Sequence, residues 1–215
     1  MRRLSLLFVL VIVVAVILVR AGERKQAATQ STGESTETLK SGRPLILQED
    51  DGERRVRRPG GPVPVSGDGS IPEFFIKIDK LNGNAQDFFV ATEILAPGAI
   101  VPFHKHFNAE EVVILEEGGA TVIVGDKRAV AGPHSIVFIP RDTWVSVTNT
   151  GKAPIHFYGL FSRPGFDECM RARSVHPGES RKTLTPEEIE QSSRHGHAMF
   201  WDVSKGPYPP GVAHP

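Results

Sequence analysis

Hydrophobic and polar positions divide the chain into stretches of different texture. The first is an apolar run, Leu6 to Val19, extended to Leu4 with only Ser5 interrupting, preceded by Arg2 and Arg3 and closed by Arg20 and Ala21. A terminal segment that is apolar on every face suits a membrane span better than a core helix, which needs one apolar stripe. At 1.5 Å per residue, residues 4–19 reach roughly 24 Å, short of the ~30 Å hydrocarbon core but longer than a typical signal-peptide core. Two readings stay open for residues 1–21. One is a signal peptide cleaved after Ala21; the other is an uncleaved signal anchor, which the positive charges of Arg20, Arg24 and Lys25 favour because they oppose translocation and processing. Either reading places the remainder outside the cytoplasm, secreted or membrane-anchored. Residues 22–43 are rich in Gln, Thr, Ser, Glu and Lys, a composition too polar to bury enough surface to offset chain entropy, and they read as a flexible tether.

Order is expected from Pro44, where Leu45, Ile46 and Leu47 precede the turn residues Glu49, Asp50, Asp51 and Gly52. Glu53 to Arg58 reads as an exposed edge strand returning from that turn, with Arg54, Arg55, Arg57 and Arg58 on a solvated hairpin. Pro59 to Ser70, rich in Gly and Pro, reads as a loop. Beyond it, short β-rich runs recur between turn residues: Phe74–Ile78, Phe88–Leu95, Ile100–His106, Val112–Leu115, Ala120–Val124, Ser135–Ile139, Trp144–Thr148 and Ile155–Phe161. Strands at that spacing with no helix between them predict an all-β antiparallel sandwich or barrel. Near the end, Thr185-Pro186-Glu187-Glu188 has the form of a capping box with proline at the first helical position, so a short helix is predicted over about 186–195, stopped by Gly196.

Composition narrows the function. Lys plus Arg and Asp plus Glu are 25 each, a balance without the basic excess that a phosphate-backbone binder needs, so nucleic acid is not an expected partner. The single cysteine, Cys169, excludes an intrachain disulfide framework and a cysteine-based zinc cluster. A metal, if held, is held by histidine and carboxylate. His104 and His106 stand two apart in a predicted strand, so both imidazoles leave one face, and the chain can turn over Phe107, Asn108 and Ala109 to bring Glu111 back beside them. Glu110 is the alternative carboxylate. Two His and one carboxylate make a facial three-ligand set with open positions, suited to iron and usable by zinc or manganese.

The spacing Gly98-x5-His104-x-His106-x4-Glu111-x6-Gly118 resembles the first conserved motif of the cupin superfamily, with every fixed position filled. The second motif runs glycine, five residues, proline, x, glycine, two residues, histidine, three residues, asparagine. Here seven residues separate Gly132 from Pro140, Asp142 stands at the second glycine, Val145 stands at the histidine, and Asn149 closes the motif. The resemblance covers roughly 74–161. It implies a cupin double-stranded β-helix, or jelly-roll, barrel of the single-domain RmlC-like kind, with the Pro44 region as an extra N-terminal strand. It also implies dimerisation through sheets and one divalent ion (Fe, Mn or Zn) on His104, His106 and Glu111. The organisation expected is therefore a signal segment at 1–21, a tether at 22–43, the cupin domain at 44–170 and a C-terminal extension at 171–215.

Several other residues are weighed in the same terms. His156 can replace the missing fourth ligand if the barrel brings it near; His134 reads as a turn residue, and His195 and His197 as solvent-exposed. Phe88, Phe103, Phe107 and Trp144 are candidates for an apolar mouth or for plain core. Two functions from different classes follow. One is an exported metal-dependent cupin, oxygenase-like or isomerase-like toward a small molecule and, if an enzyme, dioxygenase-like before anything else. The other is a metal-free cupin that binds a ligand or partner outside the cytoplasm.

Overall fold

The structure, a computed structural model, describes residues 42–61 and 73–215. The apolar run at 4–19, the tether as far as Ser41 and most of the Pro59–Ser70 loop lie outside the described residues. Among the described residues, no helix is long and apolar enough to cross a membrane.

Among the described residues, twelve strands and two α-helices follow one another in the order β1 (Glu53–Arg57), β2 (Glu73–Ile78), β3 (Phe89–Leu95), β4 (Ile100–His106), β5 (Glu111–Glu117), β6 (Ala120–Val124), β7 (Lys127–Ala131), β8 (Ile136–Ile139), β9 (Val145–Thr148), β10 (Ile155–Phe161), α1 (Phe166–Ala172), β11 (Ser174–Val175), α2 (Pro186–His195) and β12 (Ala198–Phe200). They form a seven-stranded sheet, β11-β1-β2-β3-β10-β5-β8, and a five-stranded sheet, β12-β4-β9-β6-β7, with antiparallel pairing throughout. One hydrophobic core joins them. Leu95, Val113, Leu115, Ile139, Ile155 and Phe157 from the larger sheet pack against Ala120, Val122, Ala131, Val145 and Val147 from the smaller. Face-to-face packing of two antiparallel sheets, with strands that alternate between core and solvent, is the all-β architecture the sequence predicts. On β10, for example, Ile155, Phe157, Gly159 and Phe161 face in while His156, Tyr158 and Leu160 alternate with them.

The N-terminal strand departs from expectation. Residues 45–47 form no strand, and Ile46 is 91% exposed. Lys77 Nζ holds the following turn by donating to the carbonyls of Gln48, Glu49 and Asp51. The strand is β1, and it is not an edge, because β2 flanks it on one side and β11 on the other. Of its three arginines only Arg54 is solvated, as expected. Arg55 is buried and donates to the Ser174 and Arg171 carbonyls, and Arg57 donates to Glu93. What looks in sequence like a charged hairpin is a strand whose cations meet acceptors far along the chain.

The C-terminal segment is built into both sheets, with β11 extending the larger and β12 the smaller. A second apolar cluster, Phe74, Ile76, Phe89, Ala91, Ala109 and Phe161, takes Met170 from α1, with Phe166 packed against it. Helix α2 starts at the expected capping box: Thr185 accepts from the Glu188 amide and Glu188 accepts from the Thr185 amide.

Candidate metal centre

Strand β4 carries both histidines on its inner face because its pairing with β9 is irregular just before them. Ile100 and Val101 lie opposite Thr148 and Val147, but His104 lies opposite Val145, so β4 has one residue more than β9 over this stretch. Pro102, which has no N–H to give a ladder, sits in that bulge, and His104 Nδ1 lies 2.8 Å from its carbonyl oxygen. A carbonyl only accepts, so Nδ1 carries the proton and Nε2 keeps the lone pair a metal needs. Burial, then the nearby His106 imidazole, lowers the His104 pKa to about 4, so the ring is neutral at physiological pH. His106 is held by packing, edge-on to Phe166 at 4.4 Å and to Phe161 at 5.2 Å between ring centroids. Strand β12 covers the outer edge of β4, with Ala198 opposite His106 and Phe200 opposite His104.

Glu111 comes from the other sheet. It begins β5 at an inward position, in line with Val113 and Leu115, and lies opposite Ile139 on β8 and Phe161 on β10. A carboxylate on the core face of a strand needs a reason to be there. Gly159 on β10 makes room for it, since a Cβ at that position would lie 3.5 Å from Glu111 Oε1 and 3.1 Å from the Phe161 ring. Glu110 is exposed, which separates the two candidate carboxylates.

One donor atom each from His104, His106 and Glu111 fall within 4.8 Å of one another, and all three residues are buried. Donors bound to a single first-row ion stand up to about 4 Å apart, so small side-chain rotations bring this set onto one ion. The polar accounting supports that fit. Among the described residues, His106 Nδ1 and Nε2 and Glu111 Oε2 are buried without a hydrogen-bond partner, and the 3.4 Å approach of His106 Nε2 to Glu111 Oε2 does not make one. Each unsatisfied buried group costs about 1–3 kcal/mol. A cation in their midst would satisfy an imidazole nitrogen and the carboxylate oxygen together.

The site opens into a cavity of about 60 Å³ whose wall includes His104, Glu111, Val145, Phe157, Phe166 and Phe200. That volume holds a few waters or a ligand of a handful of heavy atoms. Phe88, Phe103, Phe107 and Trp144, weighed as an apolar mouth or plain core, do not line this cavity. Phe103 packs on Tyr208, Trp144 on Trp201, and Phe107 lies under Lys105 Nζ. His156 faces away from the cavity with Nδ1 3.2 Å from Glu116, and is no fourth ligand. His195 and His197 are exposed, and Lys105 pairs with Asp142. The cavity walls that sequence reasoning missed are Arg57, Glu93 and the C-terminal Phe166, Cys169, Met170, Arg173 and Phe200.

Val145 is 1% exposed, lies across from His104 and lines the same cavity as Glu111. Val145→His is therefore expected to add a fourth donor and tighten zinc binding about tenfold or more, read by competition with a chromophoric chelator. Unchanged affinity in a folded variant would show that position 145 does not reach the ion.

Residues 91–161 match the family model described as Cupin domain. No curated protein matches the chain. Among solved structures, a predicted oxalate decarboxylase from Thermotoga maritima is 17% identical over 56% of this chain and all of its own, with a TM-score of 0.48. The oxalate decarboxylase of Lactobacillus farciminis, as a formate complex, is 20% identical over 56% of this chain and 38% of its own, with a TM-score of 0.41. The cupin domain of Schizosaccharomyces pombe Cnp3 is 16% identical over 50% of this chain and 75% of its own, with a TM-score of 0.40. Two packed antiparallel sheets, the filled first motif and the family match together mark residues 91–161 as a cupin domain.

Proposed function

We propose that the cavity holds one divalent metal ion on His104 Nε2, a ring nitrogen of His106 and the Glu111 carboxylate, and that it binds and turns over a small molecule at the coordination positions these leave open. The observation that carries this reading is the set of buried, unpartnered donor atoms on His106 and Glu111. Two imidazoles and one carboxylate suit iron, manganese and zinc alike. Once bound, such an ion supplies Lewis acidity and, for iron or manganese, a redox couple, the basis for an oxygenase-like or isomerase-like reaction.

The chain's own residues prepare that chemistry. Pro102 fixes the tautomer and orientation of His104, and burial keeps its ring unprotonated. Phe161 and Phe166 hold the His106 ring and keep water from its edges. Arg57 and Glu93 form a buried ion pair in the cavity wall, 2.5 Å between Nη2 and Oε1, beside the space a ligand would take. Two further elements of the reading have narrower support. Export rests on the apolar run at 4–19 with its flanking arginines. Dimerisation through sheets is in keeping with Ile136 and Phe138, 71% and 56% exposed on the edge strand β8.

The test is reconstitution of the full chain, purified in mild detergent, with Fe(II), Mn(II) or Zn(II), followed by gel filtration and elemental analysis. Wild type should retain about one ion per chain, and a folded His104→Ala/His106→Ala variant close to none. A folded wild type that retains none would leave the metal-free ligand-binding cupin.

A further inference from the structure

Arg173 lies just beyond α1, 2% exposed, with its guanidinium carbon 4.5 Å from the centre of the Phe200 ring. Its Nε donates to Ser192 Oγ, and its Nη2 donates to the Ile189 carbonyl and Ser193 Oγ. Its Nη1 is buried and donates to none of the described residues. The other arginines of this neighbourhood have carboxylates: Arg55 meets Glu53, Arg57 meets Glu93, Arg58 meets Glu188, and Arg171 meets Glu53, Asp79 and Asp167. Among the described residues Arg173 has none. Near it lie Arg57, whose charge Glu93 already pairs, and the Cys169 thiol, which burial holds toward the neutral form. A buried cation without a counter-ion of its own is costly, and an anion that reaches it removes that cost.

Arg173 also lines the cavity of the metal centre. Phe200 links the two, because the His104 imidazole stacks on the same ring at 5.5 Å between centroids, so guanidinium and imidazole are no farther apart than those two distances laid end to end. Of the three guanidinium nitrogens, Nη1 is the one left for whatever the cavity holds. We propose that Arg173 is the anion-binding residue of this cavity, and that the ligand is a small carboxylic acid whose carboxylate takes Nη1. The inference rests on the cavity being a small-molecule site and names the class of molecule. Size sets one limit, since a cavity of about 60 Å³ favours a small ligand. The walls set another. Val101, Val113, Val147 and Met170 offer no hydrogen bonds, while Thr92 and Glu93 do, so the ligand has a short, partly apolar body and its charge sits at the Arg173 end.

Propanoate and propanamide are nearly the same shape and differ in charge, and ligand-observed NMR titration of each against the full chain separates charge from fit. The decisive sample is metal-free protein, where no ion can attract the carboxylate. Propanoate should bind about tenfold or more tightly than propanamide there. Nitrate, a planar anion without an apolar body, should bind more weakly than propanoate. Folded Arg173→Gln should lose the preference for propanoate while its zinc content matches wild type, and Arg173→Lys should keep part of it. Equal binding of propanoate and propanamide to metal-free wild type would overturn the proposal, and needs no variant. Nitrate binding as tight as propanoate would overturn the assignment to an organic acid, and an unchanged preference in Arg173→Gln would overturn the assignment to Arg173. Failure of wild type to take up zinc would count against the metal reading alone, since the charge preference is read without metal.

Discussion

Alanine at His104, at His106 or at Glu111, taken singly, is expected to lower zinc affinity about a hundredfold or more and leave the isolated protein nearly metal-free. Two donors in a buried cavity cannot replace the hydration shell of a divalent ion, so the third is not a third of the site. Pairs of these substitutions should therefore cost little more than either alone, a strong departure from additivity of the kind expected for groups acting as a unit. The effect on folding should have the opposite character. In the metal-free protein, His106→Ala removes two buried nitrogens that have no partner, and Glu111→Ala removes an unpartnered carboxylate oxygen. Losing such groups relieves a cost, which offsets part of the packing lost with the side chain. Thermal melts with chelator should thus show small changes, while melts with zinc should show the wild type gaining stability that the variants do not. Full metal content in any one of the three single variants would remove that residue from the ligand set.

The part of this site that sequence reveals is the part written locally. His-x-His on a strand fixes a shared face by period-two geometry alone, and Glu111 follows closely enough that one turn must bring it back. The surprise is only that it returns in the facing sheet, so the site spans the core instead of lying on one sheet. The second motif is also more regular than a count from Gly132 suggests. His134, with five residues before Pro140, adopts φ +64°, and Asp142 adopts φ +57°, so both positions that the motif fills with glycine have here the left-handed backbone that glycine favours. Other features were within reach and missed. Strand β7 follows Val124-Gly125-Asp126-Lys127, a two-residue hairpin with Gly125 at φ +53°, but its charged sequence masked it. Helix α1 has Asp167 and Glu168 in its first turn and Arg171 in its last, the polarity expected of a helix, within a length too short for a periodic signal.

Arg57, Arg173 and Phe200 are a different case. Nothing near them in sequence marks a cavity wall, because what places them is pairing across the chain: β1 with β2 and β11, β12 with β4, and α1 at the end of the larger sheet. Charged residues separated by more than a hundred positions carry no local pattern. The burial of Arg55 and Arg57 could not be inferred from an arginine-rich stretch next to an acidic turn, for which a solvated hairpin is the ordinary reading.

The same long-range logic makes the fold sensitive to Arg171. Its Nε donates to Glu53 Oε2 at 2.7 Å, its Nη1 to Asp167 Oδ2 at 3.0 Å and its Nη2 to Asp79 Oδ2, joining β1, the end of β2 and α1 through one guanidinium. Asp79 is fully buried, and its other carboxylate oxygen accepts from the Asn82 amide. Partnership with Glu53 and Asp79 outweighs burial and raises the Arg171 pKa, so the cation is present throughout the accessible pH range. Arg171→Met keeps much of the stem but leaves the Asp79 charge buried without its cation, a change that typically costs about 3–5 kcal/mol. At about 2–4 °C per kcal/mol for a chain of this size, melting should fall by roughly 6–20 °C. Adding Asp79→Asn should recover part of the loss, since the neutral amide no longer needs a cation and can still accept from Asn82. Arg171→Lys should restore the charge but not the fork that reaches three carboxylates, and should fall between. Because α1 brings Phe166, Cys169 and Met170 to the cavity wall and leads directly into Arg173, Arg171→Met should also weaken propanoate binding at temperatures below its melt, while zinc stays on the strand-borne His104, His106 and Glu111. A melting temperature within 2 °C of wild type, or no recovery with Asp79→Asn, would show that the buried carboxylate is stabilised by something other than Arg171.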